Sequence, residues 1–183
     1  MNKFRRWYQG GPELDREIEM RFGDLVERAI EGELASWSEK PRGRLARVVL
    51  LDQLARNLHR GTARAYAGDQ RALELALEML DRNDVAAFTL EERLFVVMPL
   101  VHSEDLRIQE RAVALAQQMI EDSPPELRPA WSLGAGRTAY YRDVVARFGR
   151  FPHRNVVLGR KSSTDELAFL EAEAVRPAPL AAG

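Results

Sequence analysis

The sequence predicts an all-α protein, on three observations. In each long periodic stretch the apolar residues recur every three to four positions, as they do on the buried face of an amphipathic helix. Two four-residue stretches, 89–92 and 163–166, have the Ser/Thr-x-x-Glu spacing of a helix capping box. Alternating apolar runs bounded by turn dipeptides, which would indicate β-strands, are missing. We therefore expect about six main helices plus short C-terminal helices, joined by short loops that favour antiparallel neighbours.

The first three predicted helices have recognisable ends. Pro12 suits the first position of a helix, and Gly32 weakens or ends that helix. Pro41 begins the second helix, whose middle is apolar on nearly every side, so we expect it to be central and buried. Gly61 ends this second helix, and Thr62 caps the third.

The fourth and fifth predicted helices each follow a capping residue. Thr89 caps a helix over about 90–101, and Pro99 is expected to kink that helix or stop it early. Ser103 caps the fifth helix, in which apolar residues continue to Ile120. The short connection between the two helices favours an antiparallel pair.

A linker is expected between the fifth and sixth helices. Prolines mark its beginning within residues 124–129. Gly134 and Gly136 are expected to keep the chain loose until about Arg137. The sixth helix then continues to Phe148.

The end of the chain has shorter helical signals. Gly149 suits the left-handed C-terminal position of the sixth helix, and Pro152 can begin a short helix. A further helix is expected after residue 163, and the tail 175–183 is expected to fray. These boundaries predict a single all-helical domain over 1–174.

The composition excludes several classes of function. A chain of 183 residues with 45% hydrophobic and 30% charged residues is typical of one globular domain. The net charge of −1 argues against a dedicated nucleic-acid binder. Without cysteine there is no disulfide, no thiol nucleophile and no cysteine-built metal site. No window approaches ~18 uninterrupted apolar residues and no apolar stretch follows the basic N-terminus. We therefore expect no membrane partner, no signal peptide and a cytoplasmic location.

The first of three polar clusters lies on the second predicted helix, which is the most apolar one. Asp52 and Arg56 are four residues apart and share one helix face, and Gln53 and Asn57 share the adjacent face. Arg60 lies a turn beyond Arg56. Because buried polar groups need protein partners or a ligand, this cluster is either an internal network that joins helices or one wall of a binding site.

The second cluster combines His102 with Glu104 and Asp105 at the start of the fifth helix. Acidic residues in a first turn interact favourably with the helix dipole, which is a purely structural explanation. In the functional interpretation, His102 is an acid/base or a ligand, and one of the two carboxylates orients its ring. Both interpretations fit the spacing.

The third cluster surrounds the turn after the sixth helix. If Pro152 begins a helix, the free N–H groups and positive dipole end of that helix lie beside several cations and favour an anion. Alternatively, the arginines pair with Asp52, Glu104 and Asp105 in a polar core. The cluster consists of Arg142, Arg147, Arg150, His153, Arg154 and Asn155.

Metal and cofactor chemistry have little support in the sequence. His102, His153, Glu104 and Asp105 are suitable ligand types, but no two histidines are three or four apart and no HExxH string exists. Neither a glycine-rich phosphate loop nor a Gly-x-Ser-x-Gly elbow is found. We therefore predict no metal and no cofactor, and a metal-dependent enzyme is the third hypothesis, which elemental analysis of the untagged protein would test.

Three motifs coincide with these clusters. They are Leu50-Leu51-Asp52-Gln53 with Arg56-Asn57 and Arg60-Gly61-Thr62, then Pro99-Leu100-Val101-His102-Ser103-Glu104-Asp105 with Gln109-Glu110-Arg111, then Arg142-Asp143 with Arg147-Phe148-Gly149-Arg150-Phe151-Pro152-His153-Arg154-Asn155. In this order they resemble the bacterial family called domain of unknown function 924, from about Trp7 to Leu170. The resemblance implies an all-helical, tetratricopeptide-like stack of antiparallel helix pairs. It implies no established activity.

The chain departs from the family pattern in three places. Leu54-Ala55 stands where Phe-Pro is usual, and the usual N-terminal aromatic segment is reduced to Trp7-Tyr8. Tyr141 stands where a histidine often precedes the Arg-Asp pair. A tyrosine can donate a hydrogen bond or a proton, but it ordinarily titrates near ~10, far above a histidine.

The leading hypothesis is a polar pocket between helices that binds a small anionic molecule. If the pocket is catalytic, the candidate residues are His102, His153 and Glu104, because an imidazole titrates near neutral pH. The remaining candidates are ligand-binding residues: Asp52, Gln53, Arg56, Asn57, Arg60, Asp105, Tyr141, Arg142, Arg147, Arg150, Arg154 and Asn155.

The rival hypothesis is a tetratricopeptide-like module that binds a protein partner. Stacked helix pairs commonly present a concave surface to a partner, and the polar motifs would then be structural. The sequence leaves the oligomeric state open.

Overall fold

The computed structural model describes residues 11–175. Helices and turns account for the regular structure of these residues and no strand occurs among them, so the predicted all-α class is confirmed. The stacking of helix pairs in the tetratricopeptide manner stays a prediction. No helix within 11–175 is both long enough and apolar enough to cross a membrane.

Eight α-helices follow one another in the described range. A π-helical segment, Val49–Leu54, lies between α2 and α3. Shorter 3-10 segments lie at Ala35–Glu39, Ala63–Tyr66, Asp84–Ala87 and Pro152–Arg154. The helices are α1 (Pro12–Glu31), α2 (Pro41–Val48), α3 (Ala55–Leu58), α4 (Asp69–Asp81), α5 (Leu90–Val101), α6 (Leu106–Asp122), α7 (Arg128–Phe148) and α8 (Thr164–Val175).

The chain forms two compact units. Among the described residues, the first unit contains 11–35, 50–68 and 152–175. The second unit contains Ser36–Val49 and Asp69–Phe151. Each unit therefore joins segments that are far apart in the sequence. The single domain predicted over 1–174 stays a prediction.

In the first unit, α1 packs against α3, and α8 packs against the 3-10 segment that begins at Pro152. The α1 residues Ile18, Val26 and Ala29 are buried. As predicted, Pro12 begins α1, and Gly32 follows it in the left-handed conformation with φ of 91°.

In the second unit, α6 packs along α7 and also contacts α5. Helix α4 contacts both α2 and α5. The predicted capping box at the start of α5 is confirmed, because Thr89 Oγ1 accepts a hydrogen bond from the Glu92 backbone N–H and Glu92 Oε2 accepts one from the Thr89 N–H. Fully buried Val48, Met79, Val96 and Leu100 contribute to the core of this unit.

The predicted linker up to residue 137 is wrong, because α7 already begins at Arg128. Pro129 lies in the first turn, where the missing N–H group costs no intrahelical hydrogen bond. Gly134 and Gly136 lie inside the helix, and Gly134 accepts a hydrogen bond from Thr138 Oγ1. The long contact between α6 and α7 outweighs the modest cost of about 1 kcal/mol for each helical glycine.

Two predicted caps are also corrected. Asp105, rather than Ser103, is the N-cap of α6, and its Oδ1 accepts hydrogen bonds from the next helical N–H groups. Ser103 Oγ instead accepts from the Asp105 N–H. Thr62 precedes a 3-10 segment, and α4 begins only at Asp69. The local hydrogen bonds, rather than the residue type alone, decide which polar residue becomes the cap.

The predicted second helix is not uniform. Its middle adopts the π-helical form over Val49–Leu54, which the apolar spacing does not indicate. Its central residues Leu50, Leu51 and Leu54 are buried, as expected. The basic N-terminus with Trp7-Tyr8 and the tail beyond residue 175 lie outside the described residues.

Candidate functional site

The first polar cluster contains a buried ion pair. Asp52 is 0% exposed and lies in the π-helical segment. Arg56 Nη1 donates hydrogen bonds to the Asp52 carbonyl oxygen at 2.7 Å and to its Oδ1 at 3.0 Å. Gln53 Nε2 donates to the other carboxylate oxygen of Asp52. The structure thus brings together three of the predicted site residues within one helical turn.

Gly68 allows the aromatic residue Tyr66 to lie close to this ion pair. A Cβ atom placed on Gly68 would lie 2.5 Å from the carbonyl oxygen of Leu51, so only glycine allows the chain to approach the π-helical segment this closely. The 3-10 segment that ends at Tyr66 directly precedes this glycine and packs against α3. Tyr66 consequently lies beside Arg56.

Two arginines lie over the Tyr66 ring. The Cζ atoms of Arg56 and Arg154 are 5.5 Å and 4.8 Å from the ring centroid, which is the range of a cation–π interaction. Both arginines are buried, at 8% and 6% exposure. We call the set of Asp52, Arg56, Tyr66 and Arg154 the Tyr66 cluster.

Asn155 follows the cluster in the chain and is fully buried. Its Nδ2 donates to Ser162 Oγ at 3.1 Å, and its backbone carbonyl accepts from the Arg160 N–H at 2.7 Å. Its side-chain Oδ1 is buried without a hydrogen-bond partner. A buried carbonyl oxygen without a donor costs about 1–3 kcal/mol, so this atom suits the N–H or O–H group of a water or a ligand.

Helix α8 begins with the second predicted capping box, and this prediction is confirmed. Ser163 Oγ accepts from the Glu166 N–H at 3.2 Å, and Glu166 Oε2 accepts from the Ser163 N–H at 2.7 Å. Glu166 is only 2% exposed, so it is a second buried carboxylate of the first unit besides Asp52.

Asn57 and Arg60 interact with helix α1 rather than with the Tyr66 cluster. Asn57 Nδ2 donates to Asp15 Oδ1 at 3.1 Å, and Arg60 Nε donates to Asp15 Oδ2 at 3.1 Å. Further along α1, Glu27 pairs with both His59 and Arg64, and the His59 Nε2 to Glu27 Oε1 distance is 2.8 Å. These contacts connect the end of the predicted second helix to α1.

Two carboxylates of α1 have lowered pKa values. Burial alone would raise the pKa of Asp15, but hydrogen bonds from Arg60 and Asn57 and the charge of Arg60 lower it below the ordinary value of 3.8. The hydrogen bond from Arg64 lowers the pKa of Glu27 below 4.5, against a smaller opposing effect of burial.

We therefore expect acid to weaken the contact between α1 and α3. A lowered folded-state pKa gives stability that is present above the unfolded-state pKa and is lost as pH falls through the folded-state value. Urea unfolding at pH 6 and at pH 3 checks this. The free energy of unfolding should fall between pH 6 and pH 3, and Asp15→Asn should reduce this fall by a few tenths of a kcal/mol, since the Asp15–Arg60 pair is partly exposed. Asp24→Asn, at an exposed carboxylate of α1, should leave the loss unchanged, and equal losses in all three proteins would contradict the expectation.

In the second unit, Glu104 and Tyr141 meet at Phe151. Glu104 Oε1 accepts a hydrogen bond from the Phe151 N–H at 2.8 Å, and the Tyr141 ring lies edge-on to the Phe151 ring at 5.7 Å. Glu104 thus fixes the start of the turn after α7. His102 is half-buried and is the C-cap of α5, while Asp105 is exposed and serves as a cap.

The members of the third predicted cluster differ in burial and in their contacts. Arg142 Nε pairs with its neighbour Asp143 at 2.7 Å, and exposed Arg147 lies over the Phe148 ring with 4.6 Å from Cζ to the centroid. Arg150 is half-buried and His153 is exposed, whereas Arg154 is buried.

The turn itself is partly as predicted. Gly149 has φ of 68° and follows α7 in the left-handed conformation, so this prediction is confirmed. Pro152 begins only a three-residue 3-10 segment, Pro152–Arg154. The expected dipole at a helix N-terminus is therefore wrong, because so short a segment lacks the aligned peptide groups that produce one.

Sequence reasoning missed several residues that the structure places in polar contacts. Tyr66 and Glu166 lie outside the three motifs, and Asp15 and Glu27 lie on α1, more than thirty residues before their partners. The capping box is the signal that pointed to Glu166. Among the described residues, no group of three or more His, Asp or Glu side chains is arranged to hold a metal ion.

Comparison with known proteins gives a family and a fold. The model of a family described as "Bacterial protein of unknown function (DUF924)" matches residues 1–174. The solved structure of a protein of unknown function from Agrobacterium tumefaciens is 35% identical, with a TM-score of 0.80 over 91% of this chain and 89% of that chain. No curated protein matches. Since the family model covers nearly the whole sequence, the chain belongs to this bacterial family, DUF924, as the three motifs had suggested.

Proposed function

We propose that the first unit binds a small anionic molecule at the Tyr66 cluster. The observation that carries this proposal is the pair of buried arginines over one tyrosine ring, with Cζ-to-centroid distances of 5.5 Å and 4.8 Å. A guanidinium that stacks on a ring keeps its N–H donors in its own plane, where a carboxylate or phosphate accepts them in pairs.

The charges around the ring support an anion rather than a cation. Arg56 and Arg154 both place a guanidinium group over the same ring, and a guanidinium carries only N–H donors. A carboxylate or phosphate supplies acceptors for such donors together with a negative charge, whereas a cation supplies donors and a like charge.

Asn155 adds a polar group for selectivity. Its buried Oδ1 has no hydrogen-bond partner, and it follows Arg154 directly in the chain. A ligand that carries a hydroxyl or amino group beside its anionic group would satisfy both residues. We therefore propose a hydroxy acid, an amino acid or a phosphate ester as the class of ligand.

Acid/base catalysis is a further part of the proposal, with His153 as the candidate in the first unit and His102 and Glu104 as separate candidates in the second unit. Glu104 accepts a hydrogen bond from the Phe151 N–H through Oε1, which fixes the position of its carboxylate. His153 is exposed to solvent and His102 is half-buried, so each ring can exchange protons with water.

A protein-binding module is the second candidate, and one set of contacts favours it. Asn57 and Arg60, which both lie in the first motif, engage Asp15 of α1. Residues of the motif therefore join helices, as this hypothesis expects, and the partner would contact other surface residues.

The binding proposal is tested by thermal unfolding with increasing inorganic phosphate at constant ionic strength. At ten times the dissociation constant, binding stabilises the native state by about 1.4 kcal/mol, which corresponds to roughly 3–5 °C for a chain of this size. We expect a saturable rise in Tm in the wild type and a reduced rise in Arg154→Ala. Arg154→Lys, which keeps the charge but loses the planar stack, should give an intermediate rise.

Arg21→Ala is the matched control. Arg21 also lies over an aromatic ring, that of Phe22 at 5.1 Å, but it is exposed on α1. This control accounts for the general stabilisation that phosphate gives by exclusion from protein surfaces. If all the variants rise in Tm as much as the wild type, the Tyr66 cluster does not bind the anion.

A further inference from the structure

Arg47 is a buried cation of the second unit that forms no ion pair with the residues described here. It lies on α2 and is only 6% exposed. Its Nη1 donates to Ser38 Oγ, while its Nε is buried without a hydrogen-bond partner. No carboxylate within residues 11–175 forms an ion pair with it. Charged side chains are rarely buried to this extent unless an opposite charge pairs with them.

Arg44, on the same helix, is a buried arginine that does pair with a carboxylate. Arg44 is three residues earlier and 4% exposed, and its Nη2 is 2.6 Å from Asp84 Oδ2. Its Nη1 also donates to the Ser38 carbonyl oxygen. These two arginines of one helix thus have similar burial and contact the same serine, yet only Arg44 forms an ion pair with a carboxylate.

Arg47 has charged neighbours of both signs on α4. Burial lowers the pKa of Arg47 below the ordinary value, and the charge of Arg71 lowers it further, with Glu78 opposing in part. Both residues belong to α4, which packs against α2. An anion beside Arg47 would supply the hydrogen-bond acceptor that its buried Nε lacks.

Ser38 is held in place beside this cation. A Cβ atom on Gly43 would lie 1.8 Å from the carbonyl oxygen of Trp37, so only glycine lets this 3-10 segment lie directly on α2. The Nε and Nη2 groups of a guanidinium form one edge whose spacing matches two oxygens of a carboxylate or phosphate. Nη1 of Arg47 donates to Ser38, whereas Nε has no partner, so the Nε edge is the one that suits an anion.

We propose that Arg47, together with Ser38, binds the carboxylate or phosphate group of a small ligand in the second unit. This site shares no residue with the Tyr66 cluster, so either site can exist without the other. The indole of Trp37 is 38% exposed and adjoins Ser38, which makes it a local reporter of binding.

The test is a fluorescence titration of the full chain with inorganic phosphate and, separately, with acetate at constant ionic strength. The signal of this site is the response of the wild type minus that of Trp37→Phe. We expect a saturable signal, a dissociation constant at least ten times weaker in Arg47→Met, and an unchanged signal in Arg154→Ala. A signal of wild-type affinity in Arg47→Met, or no saturable signal with either anion, overturns the proposal.

Stability without anion gives an independent readout. Arg47→Met replaces a buried unpaired charge with an apolar side chain of similar length, so its Tm should equal or exceed that of the wild type. Arg44→Met should lower the Tm, because Asp84, whose side chain is 11% exposed, loses its partner. A fall in Tm for Arg47→Met as large as that for Arg44→Met means that Arg47 is structural and overturns the proposal.

Discussion

Asp52→Ala is expected to lower the free energy of unfolding by about 3–5 kcal/mol, because it leaves the buried charge of Arg56 without its carboxylate. Asp52 is 0% exposed, and two of its oxygens accept hydrogen bonds from Arg56 Nη1 at 2.7 Å and 3.0 Å. The hydrogen bond from Arg56 to the backbone carbonyl oxygen of residue 52 is still possible after the substitution, but the ion pair with the carboxylate is lost. Urea unfolding followed by far-ultraviolet circular dichroism measures the loss.

Glu17→Ala is the matched control for this prediction. Glu17 and Arg21 form an i, i+4 pair at 2.9 Å in the same unit, but Arg21 is 62% exposed. Exposed pairs of this kind contribute about 0.3–0.5 kcal/mol. A double variant, Asp52→Leu with Arg56→Met, should lose less than Asp52→Ala, since it leaves no charge unpaired. If Asp52→Ala costs no more than Glu17→Ala, the buried pair is not the main structural contact of the cluster.

Gly68→Ala and Gly43→Ala form the second prediction with a large expected effect. The added Cβ would lie 2.5 Å from the Leu51 carbonyl oxygen in the first case and 1.8 Å from the Trp37 carbonyl oxygen in the second. Both clashes involve backbone atoms, so rotation of a side chain cannot relieve them. We expect each substitution to cost about 3 kcal/mol or more, with Gly43→Ala the larger.

Helical glycines with open surroundings serve as controls for the same substitution. In Gly23→Ala the new methyl group meets no atom closer than 4.0 Å, and in Gly134→Ala it meets none within 4 Å. Each control should stabilise the protein by about 0.5–1 kcal/mol, because alanine is the better helix former. Destabilisation of all four variants by a similar amount would contradict the assignment of Gly43 and Gly68 to close backbone contacts.

Local patterns predicted the helix ends well where the signal lies within a few residues. Pro12 and Gly32 delimit α1, and the capping box at Thr89 has both of its hydrogen bonds. Such signals depend on neighbouring backbone groups, and these are fixed by the sequence next to them. The start of α7 was missed because packing along α6 decides it, and single-residue propensity does not contain that contact.

The candidate site was predictable only in part, for a similar reason. Asp52 and Arg56 pair because four residues separate them on one helix, which the sequence shows directly. Tyr66 and Arg154 meet across 88 positions, and the contact depends on the close approach of Gly68 to the π-helical segment. A π-helical turn has no apolar period of its own, so its position and the aromatic residue beside it were not foreseen.

The central claim is that an anion binds at the arginines of the Tyr66 cluster. The most direct measurement is a titration with inorganic phosphate, followed by NMR through the side-chain Nε–H resonances of the arginines. The account predicts that the resonances of Arg56 and Arg154 shift together and saturate with one dissociation constant, while that of exposed Arg21 shifts little. Shifts in Arg56 and Arg154 that stay linear and no larger than that of Arg21 would contradict it.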